Sequence, residues 1–211
     1  MSDTAVPPEE PRTLTSKGSR TRARLLTAAE EVFLAHGYHD ASIVKITETA
    51  GVAGGTFYLY FTGKRQIFDE LVEDLNRRVR HAMVSASGKE TTRAAAERAG
   101  FAAFFRFTAE HPALYRVVRQ AEQVSPGAMK LHYERLLEGY VAGLSAAMDS
   151  GEIVRADPEV VAWALMGIGE MIGMRWVLWE DGAEPAAVPD EVFDEVIALV
   201  YRAIGVTEGT S

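Results

Sequence analysis

Along most of this chain apolar residues return every three to four positions, the spacing that gathers them on one face of a helix, and no stretch shows the strict alternation of a half-buried strand. Leu25, Leu26, Ala29, Val32 and Phe33 define the buried face of a first helix over 19–36, and Gly37 stands where a left-handed residue would end it. Ser42 is an N-cap for a short second helix over 43–50, closed by Gly51, and a third short helix is expected over 55–60. After Gly63 the stripe Ile67, Phe68, Leu71, Val72, Leu75 and Val79 predicts a long helix that ends within 85–89. The next is expected over 91–110 and must break at His111, because a residue ahead of a proline is pushed out of the helical region; a short one follows over 112–122. Three proline-marked starts, Ser125 with Pro126, Asp157 with Pro158 and Pro189 with Asp190, open helices expected to reach 150, 180 and 204. The pattern predicts an all-α fold of nine helices.

The chain has 211 residues, 47% hydrophobic and 25% charged, which suits one or two compact domains with a core. It contains no cysteine, so disulfides, a thiolate nucleophile and cysteine-bound zinc or iron–sulfur clusters are excluded. Positions 1–18 are rich in proline and polar residues, lack a periodic apolar pattern and read as a disordered arm; 206–211 read as a tail. No charged then apolar leader opens the chain, so a cytoplasmic protein is expected. The apolar run from Val160 meets Glu170 and then Arg175, and reads as too short to cross a bilayer, so no membrane partner is expected.

The net charge of −8 by itself speaks against a nucleic-acid partner. Its distribution changes that picture. Residues 1–11 carry net −3, residues 12–65 carry eight Lys or Arg against four acids for net +4, and residues 66–211 carry net −9. A basic segment on an acidic body suggests a polyanion-binding end, although a modest basic excess is also what a solvated face carries.

Inside the basic segment, two short helices meet at a tight corner with Gly51, the arrangement of a helix-turn-helix. Val52 and Phe57 can lock the pair, with Ile46, Ala50 and Phe61 turned to the first helix. The outward residues are then Gly54, Gly55, Thr56, Tyr58 and Tyr60, followed by Lys64 and Arg65. Hydroxyls, backbone amides at a helix start and cations are the groups that bind phosphate, and such a helix suits a major groove. Upstream, Lys17, Arg20, Arg22 and Arg24 form a basic cluster at a helix start, where the helix dipole disfavours cations; phosphate or minor-groove contact explains it better than solvation.

The run TRARLLTAAEEVFLAHGYHDASIVKITETAGVAGGTFYLYFTGKRQIFDEL, from Thr21 through Leu71, resembles the N-terminal DNA-binding domain of the TetR/AcrR family of bacterial repressors. The resemblance implies a DNA-binding domain over 19–63 and a larger helical ligand-binding and dimerisation domain over 64–205. It places Ser42 at a phosphate contact, Thr56, Tyr58 and Tyr60 on the recognition helix, and Lys64 on the DNA backbone. Three positions depart from the family pattern: Thr47 where a small alanine is usual, Ala53 in place of a Ser or Thr cap, and Gly54 in place of a polar or basic contact residue. Base readout is therefore expected to fall on Thr56, Gly55 and Lys45.

The helix from Pro158 is apolar on nearly every side and must be covered on both faces. Gly169 and Gly173, four apart, permit close approach of another helix. With Trp176 and the last helix, carrying Phe193, Val196 and Val200, they make a natural dimer surface; the resemblance implies a four-helix bundle across a two-fold axis, and so a homodimer on double-stranded DNA with a pseudo-palindromic operator. Phe104, Phe105, Tyr115, Trp163 and Met166 could line an apolar pocket, or simply the core. Arg119, Glu122 and Glu170 are candidate polar groups of that pocket, or ion-pair partners of one another or across the dimer. The expected function is a ligand-responsive transcriptional regulator, a repressor released by a small, largely apolar effector; the alternative is a helical ligand-binding or adaptor protein of the same fold with weak or lost DNA binding. The histidines are scattered, and no phosphate loop, serine elbow or constrained carboxylate pair is present, so neither an enzyme, a metal site nor a cofactor is expected.

Overall fold

A computed structural model describes residues 15–179 and 187–206. Most of the expected arm and tail lies outside these. Within them the chain forms α1 (Ser16–Asp40), α2 (Ile43–Thr49), α3 (Gly54–Phe57), α4 (Lys64–Ser87), α5 (Arg93–Glu110), α6 (Ala113–Val124), α7 (Pro126–Ser150), α8 (Pro158–Gly173) and α9 (Asp190–Ile204), with a π-helical turn over Met174–Leu178 directly after α8. The all-α reading holds: nine α-helices and no strand occur among the described residues.

Local chemistry explains most boundaries. Thr15 accepts a hydrogen bond from the Gly18 amide at 3.2 Å and starts α1 three residues ahead of the expected position, so 16–18 are helical rather than arm. Gly37 does take the left-handed conformation (φ 71°), but the chain re-enters a last turn and ends at Asp40: the glycine kinks α1 rather than closing it. Asp157 caps α8 by accepting from the amides of Glu159 and Val160. Ser125 does not cap α7 with its side chain; its hydroxyl accepts from Arg65 at 2.7 Å instead, tying the start of α4 to the α6–α7 corner. The helix expected to run to 180 changes to π geometry after Gly173.

Two apolar cores hold the helices. The first joins Phe33 of α1, Ile46 of α2, Phe57 of α3 and Phe68 and Leu71 of α4 to Val117 of α6, so the small N-terminal helices and the body share one continuous interior. The second gathers Phe101 and Phe105, Leu144, Leu165, and Val196 and Val200 from α5, α7, α8 and α9. Val196 and Val200, expected on a dimer surface, are thus spent on the protein's own core. So are Gly169 and Gly173: a Cβ on Gly169 would lie 3.5 Å from the rings of Phe101 and Phe104, and one on Gly173 would overlap the Tyr115 hydroxyl. The close approach that these glycines permit is with α5 and α6 of the same chain.

By length and composition Pro158–Leu178, 21 residues with mean hydropathy 1.3, is sufficient to cross a bilayer, against the expectation that the run is too short. Its Ala162, Leu165, Gly169 and Gly173 side is buried inside the protein, as in the core helix of a helical body.

Candidate nucleic-acid interface and inner cavity

The corner between α2 and α3 is built as the spacing predicts. Gly51 turns the corner with φ 63°, and the Val52 amide donates back to the Thr47 carbonyl at 3.0 Å. Ile46, Phe57 and Phe61 are fully buried beneath it. Thr47, buried where a methyl would suffice, resolves its hydroxyl by donating to the Val44 carbonyl at 2.9 Å, so the departure costs no unpaired polar group. Arg24 reaches from α1 to the carbonyls of Ala50 and Gly51 at 2.5 and 3.3 Å, bracing the corner.

Ser42 caps α2, accepting from the Lys45 amide at 3.2 Å, whereas Ala53 gives α3 no side-chain cap. The outcome is a recognition helix of four residues, shorter than the expected 55–60, continued by a turn in which the amides of Tyr60 and Phe61 both donate to the Phe57 carbonyl. Because Ala53 already has the extended backbone of an N-cap (φ −63°, ψ 142°) and is exposed, Ala53→Ser is expected to stabilise the protein by about 0.5–1 kcal/mol. Urea unfolding with an unchanged midpoint would refute this.

Gly54 and Gly55 are exposed with open space above both Cα atoms, and Tyr58 is 63% exposed. Thr56 is half-buried at the rim, and Tyr60 packs against the first core. Lys45 and Arg20 are exposed. Val44 and Leu59, not among the expected contacts, are 62% and 75% exposed. The signal was available: Leu59 has no apolar neighbour at helical spacing to bury it.

Several of the expected cationic DNA contacts have partners within the protein: Arg24 holds the corner, and Lys45 donates to the Asp40 carbonyl at 3.4 Å. Arg22 pairs with Glu70 of α4 and lies over the Phe61 ring. Lys64, half-buried, donates to the carbonyls of Tyr38, His39 and Ala41 at 2.7, 3.2 and 2.8 Å, which uses all three ammonium protons at the C-terminal end of α1. We expect Lys64→Met to cost about 1–2 kcal/mol by leaving these carbonyls unpaired. A lysine that served only phosphate would leave the melting temperature of the free protein unchanged, so thermal denaturation without DNA distinguishes the two roles.

An inner cavity of ≈ 70 Å³ lies among α4 to α8. Phe104, Tyr115, Arg119, Met166 and Glu170 line it as expected. Three expected members do not. Phe105 points to the second core, against Phe101 and Phe193; Glu122 is exposed on α6; and Trp163, 44% exposed, meets Tyr133 from outside. Of the lining that was not expected, the largest share comes from α7, whose His132, Tyr133, Leu136 and Tyr140 recur at helical spacing. Tyr133 donates to both Glu170 carboxylate oxygens at 3.0 and 3.1 Å, and Tyr140 donates to the buried Glu97 at 2.5 Å. Burial, reinforced by the adjacent carboxylates, holds the pKa of both phenols above the usual tyrosine value.

The outer face of α8 and α9 is apolar. Val160, Trp163, Met171 and Leu199 are exposed, and Ile172 and Trp176 form a shallow groove with Val192 and Leu199. Phe193, expected at a dimer surface, is half-buried, edge-on to Phe105 and covered by Arg98.

Residues 25–71 match the family model described as bacterial regulatory proteins, tetR family. Over 65 residues the chain is 48% identical to the HTH-type transcriptional regulator YdgC of Bacillus subtilis, a match that spans 31% of this chain and 33% of that relative. The fold as a whole is similar to the crystal structure of a bacterial regulatory protein in the tetR family from Rhodococcus RHA1 (TM-score 0.72, 19% identity, 90% and 99% of the two chains). It is also similar to the transcriptional regulator FadR from Bacillus subtilis, solved with stearoyl-CoA (TM-score 0.69, 22% identity, 90% and 99% covered).

Proposed function

We propose, from the premise that this chain belongs to the tetR family of bacterial regulatory proteins, that it is a cytoplasmic, homodimeric, ligand-responsive repressor rather than an enzyme. A small, largely apolar effector in the inner cavity releases it from a pseudo-palindromic operator. The observation that carries this reading is the double duty of α6. One face of that helix lines the cavity with Tyr115, Val118 and Arg119, while Gln120 beside them accepts from the Tyr38 amide at 2.6 Å, at the kinked end of α1. A change in cavity occupancy therefore bears directly on the helix that braces the α2–α3 corner, and operator affinity falls by the difference in ligand affinity between the two arrangements.

In this reading Gly54, Gly55, Thr56 and Tyr58 enter the major groove with Ser42, Lys45 and Arg20 at phosphates, while Val44 and Leu59 offer apolar contact to thymine methyl groups. The exposed α8–α9 face pairs two copies, setting the two heads about 34 Å apart. The acidic body repels DNA and confines contact to the heads.

Fluorescence anisotropy tests the reading on duplexes from the promoter of its own or a neighbouring gene and on random duplex, at two salt concentrations. A repressor gives site-specific binding with a steep salt slope. Thr56→Ala is expected to lose discrimination equivalent to about 1 kcal/mol at a base position and little affinity for random DNA. Gly54, which brings no side chain to a base edge, favours a second reading, an adaptor of the same fold; it predicts no salt-dependent preference for any promoter duplex.

A further inference from the structure

The polar groups around the cavity differ in whether the protein already uses them. Tyr140 gives its hydroxyl to Glu97, and His132 accepts at Nδ1 from Asn76 at 3.1 Å. Two groups at the cavity, Arg119 and Glu170, are left over, and a third lies behind its wall. Tyr115 is 4% exposed, and its hydroxyl, packed against Gly173 with the Thr108 side chain nearby, completes no hydrogen bond of regular geometry. Arg119 donates to the Met174 thioether at 2.7 Å, a weak acceptor, and among the described residues no carboxylate lies within ion-pair distance of it. Glu170 takes the Tyr133 hydroxyl, but among the described residues no cation lies within ion-pair distance of its carboxylate.

Burial, opposed in part by the Thr108 side chain and aided by Glu170, raises the pKa of Tyr115 and keeps it protonated. The cavity is thus bordered by one charged donor, Arg119, and one charged acceptor, Glu170, beside aromatic walls at Phe101 and Phe104, while the Tyr115 hydroxyl is closed off against Gly173. A carboxylate would gain Arg119 and be repelled by Glu170. An ammonium group would gain Glu170 and be repelled by Arg119. A group that both accepts and donates without net charge satisfies both.

Taking the cavity as the effector site, the reading on which this inference rests, we propose that its ligand is an uncharged amide on a small apolar or aromatic body, the carbonyl accepting from Arg119 and the N–H donating to Glu170. The present volume of ≈ 70 Å³ is about half of what admits a benzene-sized molecule. Entry therefore requires the wall to yield, and two of its members, Met83 and Met166, are flexible thioethers suited to that.

The test uses three probes that differ in one functional group, 3-phenylpropanamide, 3-phenylpropanoate and 3-phenylpropylamine, with calorimetric titration and thermal shift on the full chain. The amide is expected to bind at least about tenfold more tightly than either ion, the equivalent of one hydrogen bond to a charged group. Glu170→Gln shifts the preference to the carboxylate, and Arg119→Gln shifts it to the amine; an exchange of preference in folded variants is not a result that a folding defect produces. The proposal is overturned if either ion binds the unaltered protein as tightly as the amide, or if none of the three binds. Operator affinity measured in the same samples separates the two readings: amide binding that leaves operator affinity unchanged refutes the release mechanism and leaves the ligand assignment standing.

Discussion

Lowering the pH from 7 to 4 is expected to cost this protein about 3 kcal/mol of stability through a single side chain, His132. The residue sits on α7 at the cavity wall, 6% exposed, in a buried polar cluster with α4. Arg80 donates to Asn76 Oδ1 at 3.0 Å, and since arginine can only donate, this fixes the orientation of the amide. Asn76 Nδ2 then donates both to the His132 carbonyl at 2.9 Å and to its Nδ1 at 3.1 Å, so the ring must be neutral and carry its proton on Nε2. A protonated ring would turn an N–H against the amide and place a charge beside Arg80. Burial first, and the Arg80 charge second, lower its pKa from 6.5 to about 4.

The unfolded chain therefore binds this proton below about 6.5 while the folded chain refuses it until about 4. Stability is fully present above 6.5 and drains away across that window, the reverse of a histidine that gains an acidic partner. Carboxylates titrate in the same range, so the measurement is a difference: urea unfolding at pH 7.5, 6 and 4.5 for the unaltered protein and for His132→Gln. A parallel fall in both would refute the assignment.

Gly173→Ala is expected to be the most damaging change of one methyl group among the glycines of α8. An added Cβ would overlap the Tyr115 hydroxyl and sit 2.8 Å from ring Cζ, far inside van der Waals contact. Tyr115 is buried, edge-on to Phe104, so the ring must swing toward the cavity or α8 must lift from α6. Overpacking of this kind costs about 3 kcal/mol and fills part of the cavity. Tyr115→Phe tests the cause. Alone it removes a buried hydroxyl that completes no hydrogen bond of regular geometry and is expected to be neutral or slightly stabilising; combined with Gly173→Ala it recovers part of the loss, though Cζ still crowds the new methyl. Full additivity of the two changes in a double-mutant cycle would overturn the contact as the cause. By contrast, Gly167 on the same helix has open space above its Cα, and Gly167→Ala is expected to change stability little or favourably.

The α2–α3 unit was legible because its determinants are local. A cap at Ser42, a left-handed glycine at 51 and apolar residues at helical spacing act within a few positions of one another, and the structure keeps each in that role. The long amphipathic stripe of α4 was legible for the same reason. The use of single cations was not. Lys64 and Arg22 look alike on paper, exposed basic residues near a binding helix, yet one is drawn onto the carbonyls that α1 leaves open at its end and the other onto Glu70, 48 positions away. Such partners follow from how helices cross.

The same distinction separates what the amino-acid order determined from what the packed molecule decided. Periodicity, caps and glycines settled an all-α chain of nine helices with a helix-turn-helix in a basic segment, because helix formation is governed by residues three and four apart. Which side of α8 faces inward could not be read there, since that helix is apolar on nearly every side and presents the same pattern to the core, to a cavity or to a second copy. Only the tertiary arrangement turned Gly169 and Gly173 toward Phe104 and Tyr115, committed Val196 and Val200 to the core, and left Val160, Met171 and Leu199 outside. It also brought Tyr115, Arg119 and Glu170 to one cavity from sites up to 55 residues apart, a convergence that depends on the crossing of α6 and α8 and leaves no trace in local spacing.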